Sequence, residues 1–214
     1  LGSTFNNNTA NETDGGSISL ICSQLTNCVY SIKNSTFTNN TALMDGGAIH
    51  WTNNQPTLEA NTFFGNNASY GNDMASYPMK MLIIDKNGEP LAGRRLSEYV
   101  GIASGQTLPE PIRVALIDHY GQIVLTDNTS QGQVEAKDKK ATLLSGQTKV
   151  TAVKGVFVFD QFAISTTPGV TAALYVDTAA IDLQDAKSRG QEQGYSSEIH
   201  FMVDVRLCHV GEAI

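Results

Sequence analysis

The chain has 214 residues, of which 41% are hydrophobic and 16% are charged, and its formal net charge is −7. These values are typical of a globular protein with one or two domains and exclude an intrinsically disordered chain. Because the sequence has neither a basic run nor about 20 consecutive apolar residues, neither nucleic acid binding nor membrane insertion is expected.

Residues 1–77 are rich in Asn, Thr, Ser and Gly and repeat one phrase. The copies are STFNNNTANETDGGSISL from Ser3, STFTNNTALMDGGAIHW from Ser35, and a degenerate third copy, NTFFGNNASYGNDMAS, from Asn61. They share Thr-Phe-x-x-Asn-x-Ala, and the matched residues are Phe5, Phe37 and Phe63, then Asn8, Asn40 and Asn66, then Ala10, Ala42 and Ala68. The first two copies continue into Asp-Gly-Gly, where the third has Gly71-Asn72-Asp73.

An uneven repeat of this length is typical of stacked units that cannot bury their apolar faces alone. The phrase lacks a helical period, while STF and GGAIHW read as short strands, and Asn-Asn and Asp-Gly-Gly supply turns with left-handed backbone. We therefore predict rungs of a parallel β-helix. In it, Phe5, Phe37 and Phe63 would form an internal column, and the matched Asn residues would form a ladder.

Sequons and cysteines indicate an oxidising, secretory route. The sequence Asn-x-Ser/Thr occurs at Asn7, Asn11, Asn34, Asn39, Asn67 and Asn128. Cys22 and Cys28 flank a short polar loop that two strand ends could close with a disulfide. Cys208 is left over, so its partner is expected to lie outside these residues.

From Pro78 onward Val, Ile, Leu and Ala replace Asn, which predicts a domain boundary. An all-β sandwich is expected there, with at most one helical turn near residues 179–187. Its predicted strands are MKMLIID, IRVALID, QIVLT, GVFVFDQFAI, VTAALYVDT and EIHFMVDVRL. Phe157, Phe159 and Phe162 are assigned to its core and edge.

The combination of FTNN and GGAI resembles the repeat of polymorphic outer-membrane proteins and related pectin-lyase-like surface proteins, which fold as right-handed β-helices. Similar coils occur in very large surface proteins of unicellular eukaryotes, where a final coil resembling YGNDMASYP precedes an immunoglobulin-like segment and cysteine-rich modules. The resemblance implies an all-β chain. Residues 1–78 would be the C-terminal coils of a right-handed parallel β-helix, 79–207 an immunoglobulin-like β-sandwich with its entry segment, and 208–214 the start of a cysteine-rich module or linker. Two departures are GGSI in the first copy and the missing Gly pair in the third, which suits a terminal coil.

No catalytic site, metal site or cofactor is expected from the sequence. The histidines lack ligand spacing, and no nucleophile or phosphate motif is present; the histidines are His50, His119, His200 and His209. Four aspartates at strand ends are interpreted as solvated turn residues rather than calcium ligands, namely Asp85, Asp118, Asp127 and Asp160. Asp14, Asp45 and Asp73 are expected to recur in register as turn residues, which argues against a catalytic cluster.

Two functions remain open. The first is a non-catalytic, extracellular or cell-surface glycoprotein segment with a structural or adhesive role. The second is a carbohydrate-active enzyme or carbohydrate-binding module on the same scaffold, which would need several exposed aromatic side chains; Trp51 is the one Trp. For the first function, the open edge at Phe5 and Asn8 is expected to be covered by flanking coils of a longer polypeptide or by a neighbouring copy in a head-to-tail homopolymer.

We expect N-linked glycans on at least two of Asn7, Asn34, Asn39, Asn67 and Asn128, with Asn11 crowded by Asn7. Peptide mapping with and without glycosidase, on chain secreted from a eukaryotic host, measures this occupancy. If every one of these asparagines is unmodified, the main sequence argument for secretion is lost.

Overall fold

A computed structural model describes residues 2–22, 28–91, 95–188 and 193–209. The chain is nearly all β, with 45% strand and 3% helix, and several of its sheets are parallel. The predicted all-β fold is therefore confirmed, while the right-handed β-helix and the immunoglobulin-like sandwich stay predictions.

The chain forms two compact units, each of which is described by itself. The first contains Leu1–Lys80, Leu116–Asp127 and Ile181–Tyr195, and the second contains Met81–Ala115, Asn128–Ala180 and Ser196–Ile214. The boundary predicted near residue 78 stays a prediction about domains. The compact units are discontinuous in sequence, which a change in composition does not reveal.

Ten short strands lie in and between the copies of the phrase, within the described residues 2–22 and 28–80. They are β1 Thr4–Asn6, β2 Thr9–Ala10, β3 Ile18–Leu20, β4 Ser31–Lys33, β5 Thr36–Thr38, β6 Thr41–Ala42, β7 Ile49–Trp51, β8 Thr57–Glu59, β9 Thr62–Phe64 and β10 Met74–Ser76. The parallel sheets have the orders β1-β5-β9, β10-β7-β3, β2-β6 and β4-β8. Each strand thus pairs with its equivalent in the next copy, and we call the successive copies the first, second and third coil.

The predicted phenylalanine column is confirmed. Phe5 pairs with Phe37 and Phe37 pairs with Phe63, so the three rings lie one above another. Their centroids are 4.8 and 5.0 Å apart and the rings are stacked nearly parallel. Phe37, in the middle, is fully buried, whereas Phe5 and Phe63 at the ends are partly exposed.

The Asp-Gly-Gly turns are needed because neighbouring coils approach closely. Gly46 has a φ of 64°, a left-handed conformation that glycine adopts without strain. A Cβ on Gly47 would lie 2.1 Å from the carbonyl oxygen of Asn72 in the third coil. Asn72 replaces the second glycine in the third coil, where no further coil follows within the described residues. The third coil therefore tolerates a side chain at the position of the second glycine, because no further coil packs against it in the part of the chain that the structure describes.

The first coil is longer than the second, at 32 against 26 residues, and it contains a disulfide. Cys22 and Cys28 are bonded with a Cα separation of 5.9 Å, which confirms the predicted pair. Side chains of the second coil hold both cysteines, because Asn53 Nδ2 donates to the carbonyl of Cys22 and Asn54 Nδ2 to that of Cys28, each at 2.9 Å. The unequal coils, 32 and then 26 residues, consequently remain in register.

Ten further strands follow. They are β11 Lys80–Ile84, β12 Arg95–Ile102, β13 Ile112–Ile117, β14 Gln131–Ala136, β15 Leu143–Gly146, β16 Lys149–Thr151, β17 Val156–Phe159, β18 Phe162–Ser165, β19 Thr171–Thr178 and β20 Glu198–Val205. The sheets have the orders β11-β13-β17, β12-β20-β19-β14-β16 and β15-β18. Phe157, Phe159 and Phe162 are buried, as predicted for core residues.

The prediction of a strand at QIVLT is wrong. Asp118 Oδ1 accepts hydrogen bonds from the backbone amides of Tyr120 and Gln122, each at 2.9 Å, so the chain turns back directly after β13. Only an isolated bridge between Ile117 and Ile123 remains. Strands β12, β14, β15 and β16 were not predicted, because their residues are too polar or too Gly-rich to show a strand pattern.

The described residues contain one helix, α1 Leu183–Ser188, which overlaps the region 179–187 where a helical turn is predicted. Ala186 on this helix is buried. No helix in the described part of the chain is long and apolar enough to cross a membrane.

Replacing Phe37 by Ala is expected to lower the free energy of unfolding by about 3–5 kcal/mol, because the change leaves a cavity in the middle of the ring column. Urea denaturation followed by circular dichroism measures the loss. Phe64→Ala is the matched control, since Phe64 is 71% exposed and should change stability by no more than about 0.5 kcal/mol. Equal losses for the two variants would contradict the column as the core of the stack.

Candidate functional site

The first coil leaves the edges of its strands open. Strands β1, β2 and β3 each pair on one side only among the described residues. Phe5 is partly exposed and Asn8 is exposed, so both residues of the predicted assembly edge lie at this end of the stack. A row of unpaired backbone groups beside partly exposed apolar side chains is a template for pairing with another strand.

The predicted asparagine ladder is confirmed, and it has a direction. Asn40 Oδ1 accepts from the backbone N and from Nδ2 of Asn8, at 3.0 and 2.9 Å. Asn66 Oδ1 accepts in the same way from Asn40, at 3.0 and 2.9 Å. Each side-chain oxygen thus accepts from the preceding coil. Asn8 Oδ1 is the acceptor that a preceding coil would use.

Asp73 closes the opposite end of this ladder. Asn66 Nδ2 donates to Asp73 Oδ1 at 2.9 Å, where a fourth coil would supply another asparagine oxygen. The prediction that Asp73 recurs in register with Asp14 and Asp45 is therefore wrong, because Asp45 pairs with Tyr70. The sequence comparison matched the aspartates by residue type, whereas the backbone pairing places Asp73 three residues after Tyr70, the equivalent of Asp45.

Leu116–Asp127 covers the free side of β10 in the third coil. Gln122 Nε2 donates to the carbonyl of Met74 at 3.0 Å, and the backbone N of His119 donates to Ser76 Oγ at 3.1 Å. Asp118, predicted as a solvated turn residue, is buried here, and this burial raises its pKa. The third coil is thus capped at two places, while the first coil has no equivalent cap among the described residues.

A second group of polar side chains lies inside the same unit. Asp14 of the first coil, and Asp45 and His50 of the second, each offer one donor atom within 4.8 Å of the other two. His50 Nε2 lies 3.4 Å from Asp45 Oδ1, and His50 Nδ1 lies 3.9 Å from Asp14 Oδ2. Both carboxylates therefore lie close to the imidazole of His50.

Burial governs the ionisation of this group. It raises the pKa of Asp45 to about 7, and the negative charge of Asp14 acts in the same direction. Burial also lowers the pKa of His50, against the opposing effect of Asp14. Sequence reasoning missed the cluster because Asp14 is distant in the chain, and Asp45 and His50 do not have a familiar ligand spacing.

The remaining predicted residues are dispersed over the surface. The six sequon asparagines are exposed, and Asn7, Asn34 and Asn39 occupy left-handed positions at coil corners. Cys208 is exposed with a free thiol. Asp160 is exposed, as expected for a turn residue, whereas Asp85 is half-buried.

Residues 34–50 match a model described as the Chlamydia polymorphic membrane protein repeat. The second coil resembles that repeat. The matched segment contains Phe37, Asn40 and the Asp-Gly-Gly turn, and is a small part of the chain. No curated protein matches the chain.

Among solved structures, the chain is similar to the crystal structure of domains 4 and 5 of the S-layer protein SbsC. The identity is 12% and the TM-score is 0.34, and the likeness covers 62% of this chain and 55% of that chain. The chain thus spans about half the length of that structure, and at this TM-score no property is carried over.

Asp73→Ala is expected to destabilise the protein by about 1–3 kcal/mol, because the buried amide of Asn66 loses one of its two acceptors and retains only the carbonyl of Phe37. Asp73→Asn retains an oxygen at this position and should cost clearly less. Chemical denaturation of both variants measures the difference. If Asp73→Ala proves as stable as the wild type, Asp73 does not cap the ladder.

Proposed function

We propose that the chain is a structural, non-catalytic segment of a secreted or cell-surface glycoprotein, and that its first coil is an assembly edge. In this proposal the coils are the end of a right-handed parallel β-helix, and the second unit is an immunoglobulin-like sandwich. Asn8, together with Phe5, is the contact point for a further coil. The coil belongs either to the same, longer polypeptide or to another copy of the chain.

The main support for this proposal is that the two ends of the asparagine ladder differ. At the third coil the last amide is bonded to Asp73, whereas at the first coil Asn8 retains an available oxygen on an exposed edge. A coil added before Ser3 would extend the ladder, the ring column and the parallel sheets at once. These three contacts require one common register, which makes the edge selective for a coil of the same kind.

Three features support a surface location. The second coil resembles a repeat of polymorphic membrane proteins. The Cys22–Cys28 disulfide is typical of proteins that fold in an oxidising compartment. The asparagines of all six sequons are exposed, so each is accessible for glycosylation.

The environment of Trp51 does not favour the carbohydrate-active alternative. Trp51 is only 2% exposed, and its indole N–H donates to the hydroxyl of Tyr120 at 2.8 Å. Its ring is therefore not available as a platform for a sugar. The repeated residues of the coils stack on one another. Stacking explains their recurrence without a catalytic role.

The assembly edge can be tested with charges placed on β1. Thr4 and Asn6 are exposed on this strand, and lysines on an edge strand oppose pairing with another strand. The double variant Thr4→Lys/Asn6→Lys is compared with the wild type by light scattering over a range of concentrations. Ser145→Lys, on the exposed strand β15 of the second unit, is the control for added charge.

The wild type and Ser145→Lys should associate above the 23.0 kDa mass of one chain, and the β1 variant should remain monomeric. A wild type that is a stable monomer at every concentration would contradict the assembly edge. So would association that is unchanged by the two lysines. The intact mass of the native material then distinguishes a longer polypeptide from an assembly of separate copies.

A further inference from the structure

We propose that Asp14, Asp45 and His50 form a binding site for one divalent transition metal ion, with Zn²⁺ as the best match, that links the first two coils. The inference goes beyond the assembly function and does not depend on it. It assigns a ligand to the one group of three or more His, Cys, Asp or Glu side chains in the described residues whose donor atoms converge in this way.

The donor atoms lie at the spacing that a metal requires. Zinc binds histidine nitrogen and carboxylate oxygen at roughly 2.0–2.2 Å, with tetrahedral angles. Two such bonds to His50 Nε2 and Asp45 Oδ1, which are 3.4 Å apart, would enclose an angle of about 108°. Asp14 is the most exposed of the three side chains, at 30%, so its carboxylate has room to approach as the third ligand.

The second observation is that buried donors in the cluster lack hydrogen-bond partners. His50 Nδ1, Asp45 Oδ1 and Asp14 Oδ1 are buried without one. The side chains of His50 and Asp45 are only 3% and 8% exposed, and their contact does not have hydrogen-bond geometry. Unpaired buried polar atoms are costly, and an ion bound between His50 Nε2 and Asp45 Oδ1 would satisfy the latter.

The local charge also favours a cation. The charges that act on Asp45 are those of Asp14 and Asp118, and both are negative. Among the described residues, the ion-pair contacts of Asp14 and Asp45 are with His50 and not with Lys or Arg. Two neighbouring carboxylates, one of them buried, repel each other, and a divalent ion between them would neutralise both charges.

The donor set indicates which ion fits. Imidazole with carboxylates suits zinc and its neighbours in the first transition series, whereas calcium prefers oxygen ligands alone. Because Asp14 and Asp45 occupy equivalent positions in adjacent coils, the ion would connect the coils near the open edge. The third coil has Tyr70 at this position, so the site would not be repeated there.

The test uses the full 214-residue chain, without an affinity tag, after treatment with a chelator. Zn²⁺ and, separately, Ca²⁺ are titrated by isothermal calorimetry, and the midpoint of thermal unfolding is recorded with each ion. Co²⁺ is used as a spectroscopic probe of tetrahedral coordination. The variants are Asp14→Asn, Asp45→Asn and His50→Gln, each checked for folding by circular dichroism.

His200→Gln is the matched control. His200 Nε2 lies 3.3 Å from Glu198 Oε2, so this pair also joins an imidazole to a carboxylate, but both side chains are about half exposed. If Zn²⁺ bound only adventitiously, at exposed pairs of histidine and carboxylate, the His200→Gln variant would bind less Zn²⁺ than the wild type. The proposed site would be unaffected.

The wild type and His200→Gln should each bind one Zn²⁺, give the visible spectrum of tetrahedral Co²⁺, and unfold at a higher temperature with Zn²⁺ than without it. Folded Asp14→Asn, Asp45→Asn and His50→Gln should lose more than about tenfold in Zn²⁺ affinity. Because Asp14 is partly exposed, Asp14→Asn tests the site even if a buried variant does not fold.

Absence of saturable Zn²⁺ binding by the wild type would overturn the proposal. Zn²⁺ affinity that is unchanged in Asp14→Asn and Asp45→Asn would do the same, even if His50→Gln lost binding. Saturable binding of Ca²⁺ but not Zn²⁺ would overturn the assignment of a transition metal.

Discussion

Parallel pairing of equivalent residues is the constraint on which the first unit depends. No coil can enclose its own phenylalanine, so each buries its ring against the ring of the next coil, 4.8 to 5.0 Å away. The same register places asparagine beside asparagine, and the side-chain amide of one coil bonds to that of the next. Close approach of the backbones then requires glycine at the turn, as Gly47 shows. The phrase is therefore repeated because each coil must stack in the same register on the next one.

A stack of this kind must also end, and its two ends differ. Asp73 supplies the oxygen that another asparagine would otherwise provide, and Leu116–Asp127 occupies the free side of β10. The first coil carries no such substitute among the described residues. Regular stacking also places like charges together. The register that aligns the phenylalanines and asparagines brings the carboxylate of Asp14 towards that of Asp45, and the two repel each other. His50 lies close to both carboxylates, and at the third coil an uncharged tyrosine ends the acidic row.

Sequence patterns predicted the elements whose stability is local or repeated. The ring column, the ladder and the Cys22–Cys28 pair were each visible as spacing in the chain. In the second unit, the alternating apolar runs correctly predicted β19 and β20. Patterns failed where a single side chain redirected the backbone, as Asp118 does after β13. They failed again where pairing partners stabilise a strand of low intrinsic propensity, as for β14, which lies between β19 and β16.

The sequence by itself determined the all-β fold, the repeat, the residues that stack and the exposed sequons, because these depend on residue type and on short spacings. Only the tertiary structure decided that Asp73 caps the ladder, that Asp118 and His50 are buried, and that Asp14 meets Asp45 and His50. These contacts depend on which backbone positions face each other across coils. A difference of a few residues in loop length changes that alignment, and residue identity does not reveal it.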